Sequence, residues 1–421
     1  MRCAIANLPI DALKLKMAHE VLTWLNADFT ERVLRFAELD STINVTDIIS
    51  KPATAVGDNY ASDLVRVVAE FTRKEGKTIV KEKKSLLFKF EPIAEGPRKE
   101  VIMDTQIFDF EIFMMTNTLR KMNKLLGSRL SAQTYYIKME RPMCLILEDL
   151  APLGFRMANR ELGLDMDHCI LAIQGLARFH AASVALCEKE PKQKELYWKG
   201  MFNDAITKDI VQFFKISCTS LANSMESWPQ NGKRYAEKVK NFSEKMFQRG
   251  LESMRRKDDE FNVINHGDAW TNNMMFRYDK NNKPIEHIFV DFQISVYTSP
   301  AIDLLYFLNT SINEEISNNG TDSLVEEYQR TLVATMKQIG CKTQPPTLQE
   351  IKKYMNDRLV YGMISSMNTL AFALVHKKDA QSLDSLLENI NDYHHPGYNN
   401  PLFQRILLKR LEKFDAAGLL D

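Results

Sequence analysis

The spacing of apolar residues changes character twice along this chain. Before residue 44, Leu13, Met17, Val21, Leu22, Trp24 and Leu25, followed by Phe29, Val33, Leu34 and Phe36, fall near a period of 3.6, which predicts helix. From Asn44 the pattern becomes strand-like. Tyr60 to Phe71 is apolar with polar interruptions, Arg73-Lys74-Glu75-Gly76-Lys77 has the makeup of a hairpin turn, and Ser85 to Phe90 reads as the returning strand. Phe108 to Leu126 is predicted as a long helix. Tyr135 to Leu147 holds two short strands separated by Arg141-Pro142. Later stretches are helical: Met166 to Ala185, Lys233 to Met254, Ser323 to Ile339 and Leu348 to His376. The exception is a strand-turn-strand region from Val263 to Val296. There is no internal repeat. The expected fold class is α+β, with a helical extension (1–43), a strand-rich lobe (44–150) and a larger helical lobe (151–421), the boundary falling in Glu148-Asp149-Leu150-Ala151-Pro152-Leu153-Gly154.

The exceptional region carries the chemistry. His266-Gly267-Asp268-Ala269-Trp270-Thr271-Asn272-Asn273 sets an aspartate two positions after a histidine and an asparagine five positions after that aspartate. Eighteen residues later, after Ile288-Phe289-Val290, comes Asp291-Phe292. This is the H-x-D-x-x-x-x-N … D-F arrangement of a phosphotransferase centre. Phosphoryl transfer asks a protein to position a hydroxyl and to neutralise charge. Asp268 is therefore the expected catalytic base. Asn273 and Asp291 are the expected magnesium ligands, since magnesium takes hard oxygen donors and needs few carboxylates beside substrate phosphates.

Composition narrows the partners. Lysine plus arginine number 55 and aspartate plus glutamate 55, so no global charge points to nucleic acid. Six cysteines lie scattered without a C-x-x-C pair, which argues against a disulfide framework or zinc site and for a reducing, cytoplasmic setting. The N-terminal apolar stretches are interrupted by Asp11, Lys14 and Lys16, unlike a signal peptide, and no uncharged run predicts membrane insertion. No protein partner is indicated.

Nucleotide contacts are expected in the first lobe. Gly57-Asp58-Asn59-Tyr60-Ala61-Ser62 lies between strand candidates, where Asn59, Tyr60, Ala61 and Ser62 offer N–H and hydroxyl groups to phosphates. Lys89 is the one cation within Leu86-Leu87-Phe88-Lys89-Phe90, and burial there requires a partner. Glu111 is the first candidate, with Glu100 and Asp109 as substitutes. Glu148 and Leu150 stand where a hinge backbone would meet an adenine ring. Lys81-Glu82-Lys83-Lys84 reads as a solvated hairpin edge rather than a phosphate site.

Taken in order, Gly57 to Ser62, the strand lysine, Leu147-Glu148-Asp149-Leu150, Phe179-His180-Ala181-Ala182-Ser183, His266 to Phe276 and Val290-Asp291-Phe292-Gln293 resemble the ecdysteroid kinase-like family, within the wider choline- and aminoglycoside-kinase-like group. The resemblance implies a bilobal protein-kinase-like fold, ATP with Mg2+ as cofactors, and a small-molecule alcohol as acceptor, in namesake members an ecdysteroid. It assigns Lys89 to the phosphates and gives His266 an orienting role.

Gly267 in place of the arginine of H-R-D, Gln293 after Asp291-Phe292, and no A-P-E downstream depart from protein kinases. Asp303 reads either as a helix-start charge or as a brace for the catalytic loop. Tyr361, Met363, Ile364, Met367, Leu370, Phe372 and Leu374 form either an acceptor wall or ordinary core. A pseudokinase that binds small molecules, or a choline- or aminoglycoside-type kinase, are the competing readings.

Overall fold

The structure, a computed structural model, describes residues 23–54, 60–388 and 390–421. The helix expected over Leu13 to Leu22 and the loop position Asn59 lie outside the described residues. The chain divides into two compact units. The first takes the chain up to Phe108 together with Ala132–Gly154 and Gln381–Glu388, and the second holds the remainder.

In the first unit, Asn26 caps helix α1 (Ala27–Glu38) by accepting the Phe29 N–H at 3.0 Å, so Trp24 and Leu25 stay in the preceding turn. The sheet is five-stranded and antiparallel, in the order β1 (Asn44–Pro52), β2 (Asp63–Glu75), β3 (Thr78–Phe90), β5 (Cys144–Glu148), β4 (Thr134–Lys138). Alternation along β2 buries Val65, Val67, Ala69 and Phe71. Opposite them, Phe88 pairs with Val65 and Leu86 with Val67. This face packs with Phe29, Val33 and Leu34 of α1 into one core. The predicted hairpin turn contracts to Gly76-Lys77, with Gly76 at φ +62°. The basic stretch before Leu86 is neutralised at the sheet edge: Lys84 pairs with Glu38, and Lys83 with Glu70 at 2.6 Å.

Beyond β5 the chain is pinned by Asp149, to which the sequence alone gave no role of its own. Asp149 accepts from Arg66 Nε at 2.6 Å, Ser85 Oγ at 2.6 Å and the Ala151 N–H at 3.1 Å. Burial alone would push this carboxyl up. The three donors outweigh burial and hold it below its ordinary range.

After α2 (Pro97–Thr105) the chain passes through α3 (Ile107–Phe113), within which the second unit begins, and α4 (Leu119–Leu126) follows after a π-helical turn, Met114–Thr118, where Thr116 Oγ1 bonds back to the Ile112 carbonyl at 2.6 Å. Among the described residues, helix α5 (Met166–Lys189) alone is long and apolar enough to cross a membrane by length and composition. Its most apolar window is 78 % buried inside the protein. It packs against α8 (Thr321–Gln338) and against β7 (Val263–Asn265). The same unit holds α6 (Lys208–Met225), α7 (Ala301–Thr310), α9 (Leu359–Met367) and α10 (Thr369–Leu374), with α7 packed against α9 and α10.

The predicted strand-turn-strand resolves into two small sheets. β7 pairs with β10 (Val296–Thr298), and β8 (Met274–Tyr278) pairs with both β6 (Phe155–Met157) and β9 (Pro284–Phe289). The single helix expected over 348–376 is three, jointed at Arg358 and Asn368. At each joint a polar side chain bonds elsewhere: Arg358 to the Ser253 carbonyl and to Glu260, Asn368 to the Ile364 carbonyl.

Replacing Asp149 with alanine strands Arg66, Ser85 and an N–H together. Urea unfolding should show a loss of about 1–3 kcal/mol, and an unchanged midpoint would show that the segment is held by something else.

Candidate active site

The loop after β7 is shaped from beneath. Asp303, fully buried one turn into α7, accepts the His266 N–H at 2.6 Å on one oxygen and the Gly267 N–H at 2.9 Å on the other. The same Oδ2 receives His180 Nε2 of α5 at 3.0 Å, and His180 Nδ1 faces the Tyr328 hydroxyl of α8 at 2.7 Å. A carboxylate only accepts, so Nε2 carries the proton and, in a neutral ring, Nδ1 takes the tyrosine's. Of the two roles open to Asp303, the brace is the one its bonds describe. Asn265 adds to it: its amide nitrogen reaches the Val296 and Thr298 carbonyls, and its oxygen accepts the Asp303 N–H at 3.3 Å.

Gly267 has φ +86°, and a Cβ there would stand 2.0 Å from the Ile294 carbonyl oxygen. Only glycine fits. His266 uses its ring to join two segments: Nδ1 accepts the Asp268 N–H at 3.3 Å, and Nε2 donates to the Val290 carbonyl at 3.1 Å. Burial holds this ring below its ordinary range, so it is a neutral strut. Phe292, completely buried, packs on it with centroids 4.6 Å apart.

Pairing of Met274 with Phe289 brings the flanks of β8 and β9 to one end of their ladder. There the Asn273 carbonyl accepts the Val290 N–H at 3.0 Å, which sets Asn273 beside the segment carrying Asp291. Asp291 has φ +66°, uncommon for a residue with a side chain and found most often where a site constrains the backbone. Asp268 sits between two donors. Asn273 Nδ2 reaches its Oδ2 at 2.7 Å and its carbonyl at 3.0 Å, and the Tyr306 hydroxyl reaches its Oδ1 at 2.6 Å. Burial raises the Asp268 carboxyl to about 7, with Asp291 and Asp303 adding to the rise and Tyr306 and Asn273 opposing it. The residue itself stays partly accessible.

Asn273 commits its nitrogen to Asp268, so a cation would meet its oxygen. With the Asp291 carboxylate this makes a hard-oxygen set of the kind magnesium uses. Among the described residues no group of three or more His, Cys, Asp or Glu is placed to hold a metal.

The residues expected to hold nucleotide are distributed as follows. In the first unit Lys89 is 3 % exposed on β3, Ser62 is buried, and Tyr60 and Ala61 are half-buried at the entry to β2. Glu148 ends β5, its N–H given to the Gln133 carbonyl at 2.8 Å, and Leu150 is buried, its carbonyl taken by the Leu153 N–H at 3.1 Å. Glu111 lies in the second unit on α3, 1 % exposed.

The profile of the ecdysteroid kinase-like family matches residues 56–341, which span this loop, the β8–β9 ladder and most of the sheet. The chain belongs to the ecdysteroid kinase-like family. Its α+β architecture, a strand-rich unit with a larger helical one, is the kinase-like fold expected from the sequence. Among solved structures, a Plasmodium vivax ethanolamine kinase aligns over 99 % of this chain and 99 % of its own, at 11 % identity and a TM-score of 0.43. No curated protein matches the chain.

Tyr306 was not singled out by the sequence, though a signal exists: it lies three residues after Asp303, hence on the same face of α7. Replacing it with phenylalanine removes a donor to the ionised carboxylate, so the Asp268 pKa should move above about 7, as followed by carbon-13 NMR of labelled aspartate. A fall would reverse the assignment. Gly267→Ala should cost more than about 2 kcal/mol in urea unfolding, since both φ and the Ile294 carbonyl oppose a side chain.

Proposed function

We propose that this protein is an ATP- and magnesium-dependent phosphotransferase acting on a hydroxyl of a small apolar alcohol, of the ecdysteroid or related steroid and xenobiotic kind. The observation that carries the reading is the Asp268 carboxylate, fixed by Tyr306 on one oxygen and Asn273 on the other, with Asp291 on the segment tied to Asn273. Membership of the ecdysteroid kinase-like family supports the reaction class.

In this reading the acceptor oxygen forms a bond to the γ-phosphorus as the bond from that phosphorus to the β–γ bridging oxygen breaks. The hydroxyl proton passes to Asp268, and ADP leaves. Each carboxylate oxygen keeps a lone pair beyond its present hydrogen bond, so Asp268 can accept the proton without losing its supports. A carboxyl poised near 7 is suited to that task, being a stronger base than an ordinary aspartate. Magnesium, held by Asn273 Oδ1 and Asp291, would supply neutralising charge at the phosphate oxygens. In the first unit Lys89 is the cation assigned to the phosphates, Tyr60 to Ser62 border the nucleotide, and the backbone at Glu148 and Leu150 receives the base.

ADP release from magnesium-ATP across a panel of alcohols tests this directly. Asp268→Asn should lower kcat by about 10²–10⁴-fold with ATP binding retained; turnover within tenfold of the parent would remove Asp268 from the chemistry. Asp291→Ala should abolish magnesium-dependent turnover, and an unaltered dependence on magnesium concentration would reassign that ligand.

A further inference from the structure

Within the second unit, a cavity of about 120 Å³ opens among α6, α9 and α10. Its apolar lining is Met201, Phe213, Phe214, Ile364 and Phe372. Ile364 is buried at the floor, whereas Met201 and the three phenylalanines are half-buried at the rim.

Four polar side chains also reach this space, and each already has a partner inside the protein. Ser365 Oγ donates to the Tyr361 carbonyl at 2.8 Å, and Ser217 Oγ to Asn368 Oδ1 at 3.2 Å. Asn368 Nδ2 donates to the Ile364 carbonyl at 3.0 Å. Thr369 Oγ1 donates to the Tyr306 hydroxyl at 3.2 Å. With its hydroxyls and amide engaged in this way, the cavity favours an apolar occupant.

The last of these bonds gives the cavity its meaning. Thr369 lines it, Thr369 holds Tyr306, and Tyr306 holds Asp268 Oδ1. The apolar space is thus two hydrogen bonds from the proposed base. Its size is selective as well. A dry cavity of roughly 150 Å³ accepts a benzene ring, so this one encloses a single ring or a short branched alkyl group and not a fused tetracycle.

Resting on the phosphotransferase reading, we propose that this cavity seats a compact apolar group of the acceptor beside its reacting hydroxyl. A bulkier acceptor would place one such end in it and leave its body outside. Of the wall residues expected from the sequence, Ile364 and Phe372 line the cavity, and Tyr361, Met363, Met367, Leu370 and Leu374 are buried core.

Two readouts test the proposal. The first needs no turnover: benzyl alcohol, without nucleotide, should raise the thermal midpoint of the parent and not that of Ile364→Phe, whose larger ring fills the floor. Equal stabilisation of both, or of neither, overturns the proposal. The second compares ADP release with alcohols of formula R–CH2OH, in which R grows from methyl through isopropyl and phenyl to adamantyl. In the parent, kcat/KM should peak near phenyl, and in Phe372→Ala the preference should move toward adamantyl by about tenfold or more. Phe372 is a half-buried rim residue, so this variant keeps the test open if Ile364→Phe does not fold.

The two readings fail separately. Turnover whose acceptor ranking is the same in both proteins overturns the cavity proposal and leaves the kinase. Stabilisation confined to the parent, with no alcohol phosphorylated, leaves the cavity as a binding site and overturns the kinase.

Discussion

One carboxylate with no surface exposure organises the second unit. Asp303 gathers two successive backbone N–H groups of the loop after β7 and a histidine from α5. In extended backbone consecutive N–H groups point to opposite sides, and the turn at Gly267 brings these two to one carboxylate. Removing the acceptor would strand both donors in a dry interior, at about 1–3 kcal/mol apiece. The loop's shape is therefore enforced from below by packed helices, independently of anything bound above it. Tyr328, two helices away from the loop, completes the chain through His180.

The same economy of polar groups recurs at each layer. His266 is neutral and ties its own loop to the strand end at Val290, Asn265 stitches β7 to β10, and Asn273 faces Asp268 with one end of its amide. Around them the packing is apolar and tight: Phe292 and Phe289 against His266, and Phe179 against Phe292. Low-polarity surroundings lift the Asp268 carboxyl toward neutrality, and two hydrogen-bond donors pull it partway back. Its basicity is a compromise between burial and hydrogen bonding.

How much of this was legible in the chain depends on the range of the interaction. Alternation in β2 and the apolar run of β3 gave the sheet, because a period of two on a half-buried strand is a local signal. The Asp268, Asn273 and Asp291 spacing was readable because one short ladder joins all three. Asp303 remained ambiguous, since its role rests on His180 and Tyr328, far away in sequence. Tyr306 and Thr369 carried no motif, and tertiary packing alone gives them their partners. The long helix expected over 348–376 failed at Arg358, whose side chain bonds to Ser253 and Glu260 far away in sequence, and at Asn368, whose amide bonds back to the Ile364 carbonyl four residues earlier. Most of the apolar residues weighed there as an acceptor wall proved to be core, which composition could not distinguish.

Arg160 closes the picture from an unexpected direction. It is almost wholly buried, and its Nη1 spans the carbonyls of Phe372, Ala373 and Val375 at the end of α10, where a positive charge also suits the helix dipole. It therefore fixes the helix carrying Thr369 and Phe372 by grasping main chain, whatever side chains that helix bears. Positions 369 and 372 can then vary in size while the helix stays where it is. Such an arrangement separates the lining of the cavity from the placing of its helix: a substitution at position 372 reshapes the space while the guanidinium at position 160 keeps hold of the backbone.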